Sequence, residues 1–278
     1  MTPSIAALQV YPVKSCRGIS VAGATLTERG LQYDRQWMIV EDGGDPALFV
    51  TQRDIPRLAL IATSLTESSL VLAAPGMKTL GIDFDTEGPR RQVVVWRDTV
   101  AAIDQGEAVS AWLSEFVGAA VRMVRFDNRS RRLCNPEYAG DTGAHTGFAD
   151  GYPLLIIGAD SLRDLNRKLQ EGGSPVLPMN RFRPNLVVDG LEAFDEDHLA
   201  SLTFGDVELK LVKPCVRCQI TTTDQATAAI GDEPLRTLAR YRNNPRLGGV
   251  TFGMNAIVAR GAGSRLAVGA TAAIDWAF

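Results

Sequence analysis

LVKPCVRCQITTTD, residues 211–224, holds two of the chain's four cysteines, an arginine between them and a run of hydroxyl residues after them. The preceding residues 202–211 alternate apolar and polar side chains around a Gly-Asp pair, which predicts two short strands joined by a tight turn. Pro214 is expected to end the second strand, and the β-branched residues after Cys218 predict another strand. Both thiols are therefore predicted to lie on an irregular loop that directs side chains into a pocket.

The pair Cys215 and Cys218 is compatible with four kinds of chemistry. It could be half of a zinc site, but such a site needs four ligands and the remaining cysteines and histidines are scattered along the chain. It could be a dithiol redox couple, which works best at a helix N-terminus. One thiolate could ligate a soft redox metal that a cofactor carries. The fourth interpretation is two core cysteines without chemistry.

Composition narrows the function classes. The chain has 278 residues, of which 45% are hydrophobic and 22% charged, as expected of a globular protein with a large core. A net charge of −3 provides no basic field for nucleic acid, so nucleic-acid binding is disfavoured. Four cysteines are too few for a disulfide framework and suit a reducing compartment, which predicts a cytoplasmic protein.

The N-terminal residues give no sign of export. They lack a basic region followed by an apolar core and pass almost directly into strand-like alternation. No apolar run reaches the roughly 18 residues that a membrane span requires. The sequence therefore predicts neither a signal peptide nor a membrane association.

Hydrophobic periodicity predicts a mixed α/β fold that is β-dominated and has a few covering helices. Residues 1–105 are β-rich with short connections. Helices are predicted over residues 107–116, 161–169 and 233–243, and Asp160 is the predicted N-cap of the second. We expect these helices to pack on the sheets.

Three polar clusters are candidates for binding an anion. Lys14 and Ser15 form a tight turn that either holds a phosphate or is an ordinary solvated loop. Arg35 enters an apolar strand and needs either the neighbouring Asp34 or an anionic ligand as its partner. Arg183 and Asn185 stand at another strand entrance, where they could bind a polar ring and its phosphate or form a surface ion pair.

Five motifs occurring in order carry a family resemblance. They are YPVKSCRG, YDRQW, FVTQRDIPRLALI, FRPNLVV and CVRCQITTTD. Together they resemble the MOSC proteins that carry an N-terminal β-barrel domain, the group that includes the mitochondrial amidoxime-reducing component and its bacterial relatives. The resemblance implies a MOSC β-barrel fold with an associated β-rich MOSC N-terminal domain. We expect that N-terminal domain over residues 1–125 and the MOSC domain over residues 126–278.

The resemblance also implies a role for each residue that matches a family motif. Cys218 would be the catalytic protein ligand of molybdenum in a Mo-molybdopterin cofactor, with Cys215 as a non-ligand. The cofactor-binding residues would be those of the Lys-Ser turn, the strand entrances, the residues around position 151 and the arginine before the ligand. They are Lys14, Ser15, Arg35, Asp150, Gly151, Tyr152, Arg183, Asn185 and Arg217. Gly151 and Tyr152 depart from the family's hydroxyl-bearing pattern, so any role there would come from backbone groups.

The implied activity is reduction of N-hydroxylated compounds, namely hydroxylamines, amidoximes and N-hydroxylated base analogues, a detoxification reaction. No cysteine follows Cys218, so electrons are expected from a separate iron–sulfur or flavin donor protein. The alternative function is a carrier that delivers the cofactor, or a sulfur atom, without its own turnover. A family-level association with pyridoxal phosphate binding also follows from the resemblance alone.

Overall fold

The computed structural model describes residues 2–277. Strands dominate both halves of the chain. The strands of the first half are β1 (Ser4–Val10), β2 (Ile19–Val21), β3 (Gly23–Thr27), β4 (Gly30–Leu31), β5 (Trp37–Glu41), β6 (Ala47–Leu48), β7 (Ala62–Leu65), β8 (Ser69–Ala73), β9 (Leu80–Asp83), β10 (Arg90–Val95), β11 (Asp98–Asp104) and β12 (Val121–Phe126). Those of the second half are β13 (Arg132–Leu133), β14 (His145–Thr146), β15 (Leu154–Gly158), β16 (Leu186–Asp189), β17 (Leu199–Phe204), β18 (Val207–Val216), β19 (Asn243–Asn244), β20 (Gly249–Arg260), β21 (Arg265–Ala267) and β22 (Ala273–Trp276).

Four α-helices are formed within residues 2–277: α1 (Glu107–Val117), α2 (Pro136–Ala139), α3 (Ala159–Glu171) and α4 (Leu235–Leu238). None of them is long and apolar enough to cross a lipid bilayer. The predicted first helix is confirmed, with Gly118 as its left-handed C-cap. Together with the strands, these elements confirm the mixed, β-dominated fold class.

The largest sheet has nine strands and curls into a nearly closed barrel. Its order is β2-β1-β16-β15-β20-β18-β17-β22, with β19 paired to β20. Backbone hydrogen bonds between Ile5 and residues 269–270 bring the chain before β22 back to β1. The apolar face of the sheet encloses one core, in which Leu8, Ile156 and Leu209 are almost fully buried. The MOSC-type barrel is thus present, and it takes its β1 from the N-terminal end of the chain.

A second sheet has the order β5-β12-β11-β10-β6, and α1 packs against it through a core that includes Trp37, Leu113 and Phe116. A three-stranded meander, β7-β8-β9, adjoins the same core. The chain passes from the barrel to the second sheet between β1 and β5. The division at residue 125 stays a prediction.

Two predicted helix boundaries are wrong. The N-cap of α3 is Gly158, whose amide donates to the buried Glu196 carboxylate (3.1 Å), so Asp160 lies inside the first turn. The helix predicted over residues 233–243 is only α4, because residues 243–244 pair with β20 instead. In the first case a contact with a distant residue overrides local propensity, and in the second case a short hairpin to residues 249–250 does.

Candidate active site

A cavity of about 310 Å³ lies where loops of the barrel meet loops of the second sheet. It is lined by every residue predicted to belong to the site, although these residues come from five separate segments of the chain. They are Lys14, Ser15, Arg35, Asp150, Gly151, Tyr152, Arg183, Asn185, Arg217 and Cys218. The fold therefore brings together residues that the sequence places up to 204 positions apart (218 − 14).

The Lys-Ser turn forms one wall of the cavity, directly after β1. The Lys14 ammonium is buried and donates to the Phe148 carbonyl (2.8 Å) and to the Asp150 carboxylate (2.5 Å). Ser15 is also buried and has a left-handed backbone (φ 68°), a conformation that costs roughly 1–2 kcal/mol for a non-glycine residue. This turn is therefore a fixed part of the cavity wall, and the solvated-loop interpretation is wrong.

The charges of Lys14 and Asp150 depend on each other. Burial lowers the pKa of Lys14, and the Asp150 carboxylate only partly offsets this effect. Partial desolvation in the cavity raises the pKa of Asp150, but the charge of Lys14 and hydrogen bonds from Lys14 and Trp96 outweigh it and hold that pKa below its ordinary value. Asp150 is accordingly a carboxylate at neutral pH.

Two arginines that line the cavity stack on one tyrosine behind them. The guanidinium carbons of Arg35 and Arg183 lie 4.2 and 4.3 Å from the centre of the Tyr11 ring. The ring is buried, its hydroxyl has no hydrogen-bond partner among residues 2–277, and burial raises the pKa of Tyr11 to about 12. Gly18 permits this placement, because a Cβ there would lie 2.4 Å from Tyr11 Cε1. Sequence reasoning assigned no role to Tyr11, although it is the first residue of the quoted motif YPVKSCRG.

The polar contacts of Arg35 fix its direction. Nη1 donates to Asp34 Oδ2 (2.5 Å) and to Asn185 Oδ1 (3.0 Å), and Nη2 donates to the Arg183 carbonyl (3.1 Å). Asp34 is therefore the partner that the sequence suggested. The Asn185 amide is 2% exposed and also bonds to Leu155 N and Gln9 O, so it orients Arg35 and holds two strands together.

Arg183 has no carboxylate partner within residues 2–277. Its Nη1 donates to the Cys16 carbonyl (2.7 Å), and its backbone is left-handed (φ 57°). Desolvation lowers the pKa of Arg183 to about 10, so the side chain remains cationic at neutral pH. An unpaired guanidinium in a cavity wall is suited to an anionic ligand.

The cysteine segment differs from its prediction in two respects. Strand β18 continues through Pro214 to Val216, so Cys215 lies at the end of a strand and only Cys218 lies beyond it. After Cys218 the chain forms a 3₁₀ helix, Gln219–Thr222, rather than a strand. Threonine hydroxyls bond back to the carbonyls of Cys218 and Gln219, and this local bonding stabilises the helical turn.

Cys218 is the exposed thiol of the site, whereas Cys16 and Cys134 are buried. Arg217 donates from Nη2 to the Phe182 carbonyl (2.6 Å) and from Nη1 to Cys215 Sγ (2.9 Å). Its buried Nε has no hydrogen-bond partner in the described part of the chain. Cys215 is thus engaged by protein, and Cys218 is left facing the cavity.

The two residues after Asp150 differ in how they meet the cavity. A Cβ on Gly151 would meet nothing within 4 Å, so this position is open toward the cavity. Tyr152 is 9% exposed and packs with Cys134 and Ile257, and its hydroxyl has no hydrogen-bond partner in the part of the chain that the structure describes. Arg132 fixes the backbone of this segment through the carbonyls of residues 147, 149 and 150.

The lining of the cavity is strongly cationic. Six basic side chains face it, and Asp150 is its one carboxylate among the described residues. The basic residues are Lys14, Arg35, Arg53, Arg183, Lys213 and Arg217. Sequence reasoning missed Arg53 and Lys213, although Arg53 lies within one of the quoted motifs. This imbalance of charge fits an anionic ligand, and within residues 2–277 no group of three His, Cys, Asp or Glu side chains could hold a metal ion by itself.

Comparison with known proteins agrees with this architecture. Residues 2–120 match the MOSC N-terminal beta barrel domain, and residues 143–271 match the MOSC domain. The chain therefore belongs to the family of MOSC proteins with an N-terminal MOSC β-barrel domain.

The sequence aligns with several named relatives over most of its length. It is 35% identical to the mitochondrial amidoxime reducing component 2 of Rattus norvegicus, over 86% of this chain and 72% of the relative. It is 34% identical to the mitochondrial amidoxime-reducing component 1 of Homo sapiens, with the same coverage. A molybdenum cofactor sulfurase of Homo sapiens is 29% identical over 89% of this chain, which spans only 29% of that protein.

Proposed function

We propose that this protein holds a Mo-molybdopterin cofactor in the cationic cavity and reduces N-hydroxylated compounds. One observation carries the proposal: the cavity combines an exposed thiol, Cys218, with six basic side chains and one carboxylate. A pterin phosphate is anionic, and a thiolate is a soft ligand of the kind that molybdenum accepts beside dithiolene sulfurs. Relatives named amidoxime reducing component support the assignment of the reaction.

The donor groups of the cavity fit such a cofactor. Lys14, Arg35 and Arg183 would bind the phosphate, because each lines the cavity and is held in place by a hydrogen bond to the protein. Ser15 would add a hydroxyl donor, and Gly151 would let the ligand approach the backbone closely. The unpartnered Nε of Arg217 is a further donor beside the thiol, and a ligand acceptor there would satisfy it.

When bound, the cofactor supplies the redox chemistry that removes oxygen from the N–O group. The chain's own residues hold the ligand, orient it and keep its charge neutralised. Cys218 would be the protein ligand of the metal. Asp150 is not suited to donate a proton, because Lys14 holds it as a carboxylate. Reduction of N–OH to N–H and water takes up two protons with the two electrons, and these protons then come from solvent.

Electrons would come from a separate iron–sulfur or flavin protein. The word "component" in the relatives' names supports a system of several proteins. We also infer a cytoplasmic location from the cysteine usage, and two domains that divide near residue 125.

Metal analysis combined with turnover tests the proposal. The protein is purified from cells grown with molybdate, and molybdenum is quantified by mass spectrometry. Consumption of hydroxylamine is then followed with a chemical reductant. We expect near-stoichiometric molybdenum and turnover in the wild type, and loss of turnover in Cys218→Ser. Cys215→Ser is the matched control, because it removes the neighbouring thiol that is not assigned as a ligand.

Three outcomes separate the alternatives. Turnover that survives Cys218→Ser would contradict the assignment of the ligand. Bound molybdenum without turnover of any N-hydroxylated substrate would favour the carrier function. Wild-type protein without molybdenum, purified beside a known molybdenum enzyme from the same cells, would refute both the reductase and delivery of the cofactor.

A further inference from the structure

An exposed tryptophan stands at the mouth of the cavity. Trp96 occupies the two-residue turn between β10 and β11, and its side chain is 43% exposed. Its backbone is left-handed (φ 59°), a conformation that turns normally give to glycine or asparagine. A large aromatic residue there is strained by roughly 1–3 kcal/mol. Such strain, in a residue that lines the cavity, suggests a use for the indole beyond forming the turn.

Neighbouring groups hold the indole in one orientation. Nε1 donates to Asp150 Oδ1 (3.1 Å), which ties the ring to the loop between β14 and β15. The guanidinium carbon of Arg53 lies 4.6 Å from the ring centre, and the Phe49 ring lies 5.3 Å away at an interplanar angle of 54°. The ring is therefore fixed at its polar edge while part of its apolar surface remains open to the cavity.

Arg53 has guanidinium donors that are available to a ligand. Its Nε makes one long bond to Thr51 Oγ1 (3.3 Å), and it forms no ion pair within residues 2–277. The two Nη groups can donate to a ligand oxygen. Trp96 thus supplies an aromatic surface and Arg53 supplies free N–H donors beside it. Both residues come from the N-terminal half of the chain.

We propose that Trp96 and Arg53 contact the organic part of the substrate and favour N–OH groups conjugated to a planar π system. The inference rests on the proposed function and adds residues that determine its specificity. A flat conjugated substrate gains from contact with the indole and the guanidinium plane. Hydroxylamine has no such surface and gains nothing from them.

Paired substrates test the inference. Specificity constants are measured for benzamidoxime and hydroxylamine with wild type, Trp96→Ala and Trp96→Phe. The ratio of the benzamidoxime constant to the hydroxylamine constant should fall about tenfold in Trp96→Ala. It should stay within about threefold in Trp96→Phe, which keeps an aromatic surface. Leu133→Ala, an exposed apolar position away from the cavity, is the control and should change neither constant.

Equilibrium binding provides a readout that does not depend on turnover. Ligand-observed NMR of benzamidoxime should show weaker binding to Trp96→Ala than to wild type or Trp96→Phe, with acetamidoxime as the small comparison ligand. An equal fall of both specificity constants, loss of molybdenum from Trp96→Ala, or Trp96→Phe behaving like Trp96→Ala would overturn the inference. If the wild type turns over neither substrate, the proposed function fails, and the NMR comparison alone decides whether Trp96 contacts the ligand.

Discussion

Replacing Asp34 by asparagine should destabilise the protein strongly, because it removes the charge that balances Arg35. The Asp34 side chain is 1% exposed and that of Arg35 is 13% exposed. Oδ1 of Asp34 accepts from Tyr11 N (2.8 Å) and Oδ2 accepts from Arg35 Nη1 (2.5 Å). Asparagine keeps one carbonyl acceptor, so one of these two bonds is lost together with the charge.

The magnitude follows from the burial of the pair. Removing one partner of a buried ion pair costs about 3–5 kcal/mol. Arg35 retains acceptors at Asn185 and Arg183, which favours the lower end of that range. We therefore expect Asp34→Asn to lower the free energy of unfolding by about 3 kcal/mol. For a chain of this size the melting temperature should fall by roughly 6–12 °C.

Urea unfolding at pH 7, followed by circular dichroism and backed by thermal melts, measures the effect. Asp160→Asn is the matched control, since Asp160 pairs with Arg163 on an exposed helix face and should cost about 0–1 kcal/mol. The double variant Asp34→Asn/Arg35→Met should be more stable than Asp34→Asn, because it removes the uncompensated charge. A loss in Asp34→Asn no larger than in the control would refute the assignment of Asp34 as the partner that Arg35 requires.

Three further outcomes are expected. Burial alone would raise the pKa of Asp104, but hydrogen bonds from Arg122 and other groups outweigh burial and lower that pKa. The stabilising effect of the Asp104 carboxylate should therefore be full above about pH 4 and be lost as the pH falls further. We expect the urea midpoint of Asp104→Asn to change less between pH 4 and pH 2 than that of wild type. Burial raises the pKa of the Cys16 thiol to about 12, whereas Cys218 is exposed, so iodoacetamide at pH 8 should modify Cys218 and spare Cys16 in folded protein purified without cofactor, as peptide mass spectrometry would show. Gln52→Leu removes three buried hydrogen bonds, one to the Lys-Ser turn and two to Gln225 after the cysteines, and should lower the free energy of unfolding by about 2–3 kcal/mol in the same urea assay.

Local sequence determined the elements whose pattern lies within one short segment. Helix α1 follows from its apolar spacing and from Gly118, which takes the left-handed C-cap conformation. The hairpin β17–β18 follows from alternation around a Gly-Asp turn. The pairing of Arg35 with Asp34 needed only adjacency in the chain. The family motifs further indicated which residues would meet, although not how each would be bound.

Tertiary structure decided the features that depend on distant partners. Pro214 stays within β18 because residues beyond Lys210 pair only with β20, so a residue without an N–H is tolerated there. Glu196, which is distant in sequence, accepts the hydrogen bond from the N-cap amide of α3. The Tyr11 stack and the placement of Trp96 beside Asp150 join segments from different sheets. No local pattern encodes such contacts, because their energy arises only once the chain has brought the segments together.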